Sequence, residues 1–401
     1  MFVELHILQH FAPSNLNRDD TGAPKDCLFG GVRRARISSQ CIKRAIRMYA
    51  QQANLLTDEQ QAVRTKRLIG EITRQLVADG RSEETARGVA TKLLQSIGIN
   101  PMADTPERTE YLVFIGRDQI RKLVEIAQRH WDVLSAIEND PPAKEGQPSD
   151  RSRREQKKAA RAAVPSNVKQ EVESVFNSAS TAVDLALFGR MIADLPHGRV
   201  DAACQVAHAI STHQVAIEFD YYTAVDDLLP QETTGADMIG TVEFNSACFY
   251  RYANVDLRQL ERNLGGDRGL ALDGLKAFLK AAIFAVPTGK QNSFAAHNPP
   301  SLVATVIRSH GLWSLANAFV QPVRPSDGRD LVQESIRALD RYWGKLTRMY
   351  GTDGISSLYV VTHEPEFVNA LATKPGVRLE TVKDLVKETI NTVKTLSGAA
   401  S

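Results

Sequence analysis

In Phe29-Gly30-Gly31-Val32-Arg33-Arg34-Ala35-Arg36-Ile37-Ser38-Ser39-Gln40-Cys41-Ile42-Lys43-Arg44-Ala45-Ile46-Arg47 a turn, a strand, a cap and a helix follow one another without a break. The paired glycines read as a turn, and Arg33 to Ile37 as a short basic strand. Ser38-Ser39 then caps a helix running to about Gln52, because a serine oxygen accepts the orphan N–H groups of a first turn. On that helix Ile42, Ala45, Ile46 and Tyr49 recur at i, i+3, i+4 and i+7 and predict a buried stripe. Lys43, Arg44 and Arg47 fall on the opposite face. The segment from Arg33 to Arg47 holds six basic residues and no acid. A basic helix face behind a serine-capped N-terminus is a phosphate-binding pattern, against the alternative of a solvated charged face.

Beyond this segment the chain divides by pattern. Residues 2–10 (FVELHILQH) predict a strand with one wet face, on which His6 and His10 are surface or core residues. Pro13 to Lys25 is a polar loop. From about Leu55 to Ala186 the period becomes helical, as in Glu71–Val77 and Arg121–Ile126. Within it, Asp140–Pro165 is strongly basic and reads as a mobile loop or frayed helix. Ala202–Thr212 predicts a small-residue helix or packed segment, and Thr223–Gly240 an acidic loop in a projecting hairpin. Val242–Tyr252 predicts a long strand, Leu270–Ala285 a helix ending before Pro287, and Leu302–Ile307 an apolar strand. Strands and helices on both sides of a helical insertion predict an α+β fold.

Length and composition narrow the function classes. At roughly 100–200 residues per domain, 401 residues predict two or three units, or one core with large insertions. Lys plus Arg number 49 against 47 for Asp plus Glu, so only local clustering of base could announce a nucleic-acid partner. Cys27, Cys41, Cys204 and Cys248 form no CxxC pair, which predicts no structural zinc site and fits a reducing cytoplasm. The acid at Glu4, where a signal peptide wants base, and the lack of an apolar run near 18 residues predict a soluble cytoplasmic chain without membrane partners. No GxSxG elbow is present, and Gly289-Lys290 lacks the remaining residues of a P-loop, so it reads as a turn that lets backbone approach a ligand. Asp19, Asp20 and Asp26 could bind a metal for phosphodiester cleavage, but as loop residues beside Arg18 and Lys25 they are expected to serve solvation and pairing.

Ser14-Asn15-Leu16-Asn17-Arg18-Asp19-Asp20, Lys25-Asp26-Cys27-Leu28-Phe29-Gly30-Gly31 and Arg36 through Arg47 are three segments of the N-terminal region with a shared likeness. They are similar to the opening of the CasC family, the backbone subunits of the type I-E CRISPR surveillance complex, Cascade. The similarity resumes at Gly189-Arg190-Met191, Ala207-His208-Ala209-Ile210-Ser211-Thr212-His213, Thr223-Ala224-Val225-Asp226-Asp227-Leu228, Phe249-Tyr250-Arg251-Tyr252, Gly289-Lys290-Gln291 and Ser314-Leu315-Ala316-Asn317-Ala318-Phe319. It runs in order over almost the whole chain and thins between Leu55 and Ala186.

The resemblance implies an RRM-like (ferredoxin-like) palm, a helical fingers insertion and a thumb hairpin. On that basis residues 1–54, 202–212 and 245–401 are assigned to the palm, 55–201 to the fingers and 213–244 to the thumb. It implies a non-enzymatic subunit, without cofactor or metal, that polymerises along CRISPR RNA and presents guide segments to target DNA. Its other partners would be further copies of itself and the large, small, 5'-end and 3'-end RNA-binding subunits. The implied RNA contacts are Arg18, Lys25, Ser38, Gln40, Lys43, Arg44, Arg47 and Lys290 on the palm, with Met191 in the fingers. Tyr221, Tyr222 and Thr223 belong to the thumb, where the family often carries a Trp-Phe pair at the tyrosine positions. The rival reading is a metal-dependent RNA-cleaving backbone subunit using a loop aspartate.

Overall fold

A computed structural model describes residues 1–137, 150–192, 198–224 and 238–398. The chain opens with β1 (Phe2–Ser14), β2 (Asp26–Phe29), β3 (Val32–Ile37) and α1 (Ser39–Gln52). It continues through β4 (Ala62–Thr65), α2 (Leu68–Ala78), α3 (Glu83–Gln95), β5 (Val113–Gly116), α4 (Arg117–Arg129), α5 (Trp131–Ala136), α6 (Asp150–Ala163), α7 (Ser166–Asn177) and α8 (Val183–Phe188). Then come β6 (Cys204–Val206), β7 (Ala209–Ser211), β8 (Glu218–Ala224), β9 (Met238–Asp256), α9 (Leu257–Asn263), α10 (Arg268–Phe284) and α11 (Gln291–Phe294). The last elements are β10 (Leu302–Arg308), α12 (Leu331–Tyr350), β11 (Ile355–Thr362), β12 (Gly376–Arg378) and α13 (Val382–Gly398).

Two compact units result. One comprises residues Met1–Leu55, Cys204–Leu257 and Leu275–Ser401, the other Leu56–Ala203 and Arg258–Gly274. The segment Arg258–Gly274 therefore groups with the helical insertion and not with the rest of 245–401.

In the first unit the sheet order is β12-β11-β10-β1-β9-β7-β3-β2. β1 is antiparallel to both β9 and β10, so the middle four strands, β10-β1-β9-β7, have the 4-1-3-2 order of a ferredoxin-like βαββαβ unit. Here α1 and α10 are its two crossover helices. The α+β expectation and its ferredoxin-like core both hold. Ile42 and Ile46 of α1 line a small cavity with Leu5 and Ile7 of β1 and Ala282 of α10, which places both helices on one sheet face. Each buried isoleucine contributes about 1.5–3 kcal/mol. The other face is covered as well, since Leu8, Tyr250 and Ala304 pack with Ile336, Leu339 and Trp343 of α12.

That second cover corrects the wet face expected of β1 at Glu4 and His6. Gln9 lies on the α10 side, under Arg251, which also donates to the Ala282 carbonyl. Glu4, His6 and Gln9 are all buried. Glu4 pairs with Arg308 at 3.1 Å, His6 meets the Tyr250 hydroxyl at 2.8 Å, and Arg251 donates to Gln9 at 2.6 Å. Alternation along a strand reveals two faces but not whether a later helix covers the polar one. Residues 202–212 supply two short strands, β6 and β7, and no helix.

In the second unit α2, α3, α4 and α7 enclose a core that includes Ile72, Leu76, Leu93, Leu123 and Phe176. A two-stranded sheet, β4 with β5, stands beside them. No sequence pattern announces it, because each strand is only four residues long. Of the basic segment expected to be a loop or frayed helix, residues 150–163 are helical, and 138–149 lie outside the described residues.

Candidate nucleic-acid interface

The turn before the basic strand is set by Gly30 and Gly31, whose φ values of +62° and +78° fit a two-residue hairpin of the primed type. That hairpin places Asp26 against Arg33, an ion pair at 3.1 Å. The acid-free run of sequence thus acquires its acid from the neighbouring strand. Arg34 is fully buried and donates to the carbonyls of Ser211 and Phe319 at 3.2 and 2.8 Å. Arg36 donates to the Asp26 carbonyl and meets His208 Nδ1 at 3.1 Å. The basic strand is chiefly a structural device.

The helix follows its pattern at Ile42, Ala45 and Ile46, which are buried, while Tyr49 is half-buried. Ser38 caps α1, its hydroxyl accepting from the Cys41 N–H at 3.3 Å, and the Asn17 side chain accepts from the Ser38 N–H at 2.8 Å. Ser38 is buried, so its hydroxyl serves the helix start and its influence on a ligand is indirect. Gln40 and Arg44 are exposed, while Lys43 and Arg47 are half-buried on the same helix.

Three segments distant in sequence meet in a cleft of about 490 Å³. Residues 16–22, Arg44 with its neighbours Cys41 and Ala45, and the turn 287–289 form its walls. Arg18 and Arg44 both line it, and neither makes an ion pair among the described residues. Lys25 lies on the same loop, with its N–H bonded to the Asn17 carbonyl at 2.8 Å. Lys290 follows the turn with φ +51°. A Cβ at Gly289 would lie 2.4 Å from the Leu16 carbonyl oxygen. The Gly289 turn therefore lets backbone approach backbone, where the sequence suggested approach to a ligand. Burial raises the Cys41 thiol despite nearby Arg44 and Lys25, so this cysteine stays protonated at neutral pH.

Of the three loop acids, Asp19 and Asp26 are occupied structurally, while Asp20 is exposed and lines the cleft. Asp19 Oδ1 accepts from the Thr21 N–H, the Thr21 hydroxyl and the Ala23 N–H at 2.8–3.0 Å, and the Thr21 hydroxyl leads in holding its carboxyl below the usual range. Asp26 pairs with Arg33 instead of the expected Arg18 or Lys25. Among the described residues no group of three or more His, Cys, Asp or Glu could hold a metal ion.

Asn15 ties this loop down. It is fully buried, and its side-chain N–H donates to the Gly22 and Glu243 carbonyls at 3.0 and 2.8 Å, joining the Arg18 loop to the base of the β8–β9 hairpin. No local pattern signals this bond. β9 runs for 19 residues, pairing with β8 up to Phe244 and with β1 from Asn245 onward.

On that hairpin Tyr221 opposes Thr241, and Tyr222 opposes Gly240. A Cβ on Gly240 would lie 2.5 Å from the Tyr222 ring, so this ring roofs the glycine. Tyr221, 62% exposed, and Thr223 are open to solvent. From Gln214 to Tyr250 the sequence holds seven acids and no Lys, Arg or His. The hairpin thus offers aromatic faces but no cation for a phosphate. Most of the acidic loop expected at 223–240 falls on 225–237, outside the described residues.

In the second unit Met191 is 83% exposed beside an anchored neighbour. Arg190 is buried and donates to Gln119 Oε1 at 2.9 Å and to the Phe176 carbonyl at 2.6 Å, and its side chain lies over the Phe176 ring. Gly189, at φ +75°, passes so close to the Val200 carbonyl that a Cβ there would stand 2.7 Å away. The Gly189-Arg190-Met191 motif is therefore a fixed point that projects one flexible apolar side chain.

The family described as CT1975-like protein matches residues 3–388. A chain from a structure of a CRISPR RNA-guided surveillance complex, pre-nicking, is similar at 31% identity and a TM-score of 0.80, covering 98% of this chain and 99% of that one. A chain from another CRISPR RNA-guided surveillance complex is similar at 28% identity and a TM-score of 0.71, with the same coverage. No curated protein matches. Among the described residues no helix is long and apolar enough to cross a membrane.

Proposed function

The chain belongs to the CT1975-like protein family, and from that premise we propose that it is a CRISPR RNA-binding backbone subunit of a Cascade-type surveillance complex. Copies of it would line up along the guide and present guide segments to target DNA, in company with the other subunits of the complex. The similarity to chains of RNA-guided surveillance complexes over nearly their full length supports this reading. So does the resemblance to the CasC family read from the sequence.

The observation that carries the reading is the cleft that gathers Arg18 and Arg44 beside the Gly289 turn. Cations without carboxylate partners in a preformed groove suit phosphates and read no sequence. The ferredoxin-like sheet itself is closed to RNA, because the face left open in a simple RRM is covered here by α12. Contact with RNA accordingly falls to the cleft, the exposed face of α1 and the hairpin. Tyr221 supplies a stacking face, and Met191 an apolar one. The subunit acts by binding and not by catalysis.

Gel filtration of the purified chain with and without guide RNA tests the proposal. Discrete multi-copy particles that form only with RNA are expected. An unchanged monomer that binds RNA would leave a free-standing RNA-binding module, and absence of RNA binding would refute the reading.

A further inference from the structure

α12 carries a second cationic surface. Its buried side is Ile336, Leu339 and Trp343, and the opposite side presents Arg337, Arg341, Lys345 and Arg348 along about 16 Å of helix. Of the two acids of the helix, only Glu334 meets this stripe, at its first cation, Arg337. Asp340 is buried and accepts from the N–H groups of Asn369, Ala370 and Leu371 at 2.9–3.0 Å. Glu334 already holds Arg329 and Arg337. Arg341, Lys345 and Arg348 make no ion pair among the described residues.

Beside this stripe runs a groove of about 520 Å³, lined by Gln321, Arg324, Arg341, Tyr342 and Lys345 among others, with the carboxylate of Glu334, paired to Arg329 and Arg337, at its wall. Its far wall is built, not loose. Buried Arg34 donates to the carbonyls of Phe319 and Val320, the Val323 N–H donates to the Thr212 carbonyl at 3.0 Å, and Gly30 packs against Val320 so closely that no Cβ fits. A fixed wall, cations at successive turns and a half-buried tyrosine between them combine phosphate partners with an aromatic face.

We propose that this groove holds a single nucleic-acid strand by its phosphates, distinct from the strand in the Arg18–Arg44 cleft. α12 covers the sheet face opposite to α1, so one strand seated in the cleft does not reach both sites without rounding the sheet edge. The inference deepens the function proposed above and rests on it only in taking the first cleft for the guide. Recognition through phosphates makes the site indifferent to base sequence.

The probe is a fluorescein-labelled 30-residue oligothymidylate carrying 5-iodouracil, added to the full chain with its guide RNA bound. Arg324→Ala/Arg341→Ala/Lys345→Ala is expected to weaken binding about five-fold or more and to flatten the slope of log affinity against log salt by about 0.7 per phosphate no longer neutralised. RNA content and melting temperature should be unchanged, and photo-cross-linking should label the peptide containing Tyr342. Equal affinity and slope in the variant overturn the proposal. Loss of the guide RNA in the variant also overturns it, since the groove would then belong to the guide path. Unchanged oligonucleotide binding with impaired self-association overturns it in favour of an acidic surface of another copy. If the chain proves not to bind guide RNA at all, the same comparison made in an Arg18→Ala/Arg44→Ala background still reads the groove by itself.

Discussion

The guanidinium of Arg34 donates to the Phe319 carbonyl oxygen at 2.8 Å, joining residues 285 positions apart inside one buried contact. The same side chain bonds the carbonyls of Phe29, Ser211 and Val320. One arginine of a run that reads as a nucleic-acid patch is thereby the pin between the β2–β3 hairpin and the chain leading into α12.

Arg34→Ala should destabilise the first unit by about 2–4 kcal/mol, because buried carbonyls lose their donor. Arg33→Ala, which breaks only an exposed pair with Asp26, should cost less than about 1 kcal/mol. Urea unfolding of the two variants checks the contrast. Equal effects would mean that burial of Arg34 is not what matters.

Lys43→Ala/Arg47→Ala should weaken guide RNA binding to a similar degree for unrelated spacers. The slope of log affinity against log salt should fall by about 0.7 for each phosphate left without its cation on a single strand. A folded double variant with an unchanged slope removes these residues from the interface.

The two tyrosines of the hairpin should separate. Tyr221→Ala is expected to leave the fold intact and to cost about 1–3 kcal/mol of base stacking, visible as altered chemical probing of guide bases in the assembled complex. Its salt slope should match the wild type, since the hairpin offers no cation. Tyr222→Ala uncovers Gly240 and should loosen the hairpin itself, read as faster amide exchange along β8. Identical exchange in both variants would show that the Tyr222 ring does not support the hairpin.

His6 makes stability fall with acid. Burial, aided by Arg308, holds its pKa down to about 3, against 6.5 for an ordinary histidine. The unfolded chain therefore binds a proton that the folded one refuses, and stability is lost as pH falls from about 6.5 toward 3, by up to about 1.4 kcal/mol per pH unit. His6→Gln should flatten that dependence between pH 6.5 and 4.5 in urea titrations. A parallel slope in the variant would assign the acid sensitivity to other groups, among them His10 and His213, which burial also holds below the usual histidine range.

The complex should not cut RNA through the loop acids. Asp19→Ala, Asp20→Ala and Asp26→Ala, tested singly with magnesium and complementary RNA, are expected to show no cleavage to lose. Magnesium-dependent cutting abolished by one of them would revive the nuclease reading.

Features that depend on neighbours along the chain were legible in the sequence. The Gly30-Gly31 turn, the Ser38 cap, the buried stripe of Ile42, Ala45 and Ile46 and the long β9 strand all follow from local sterics, capping and hydrophobic period. So does the basic face of α1, which contributes Arg44 to the cleft. Motif resemblance carried the family, because ordered matches along a chain preserve what no single periodicity contains. Which charges are available is a property of the folded chain. Asp26 reached Arg33 through a hairpin, Arg34 found carbonyls from β7 and from residues 319 and 320, and α12 closed over the polar face of β1. Folding also gathered residues 16–22, Arg44 and 287–289 into one cleft. Helical and strand periods record which side of an element is apolar. Whether a charge on the other side meets solvent, a carbonyl or a carboxylate depends on segments hundreds of residues away, and only the folded chain brings those together.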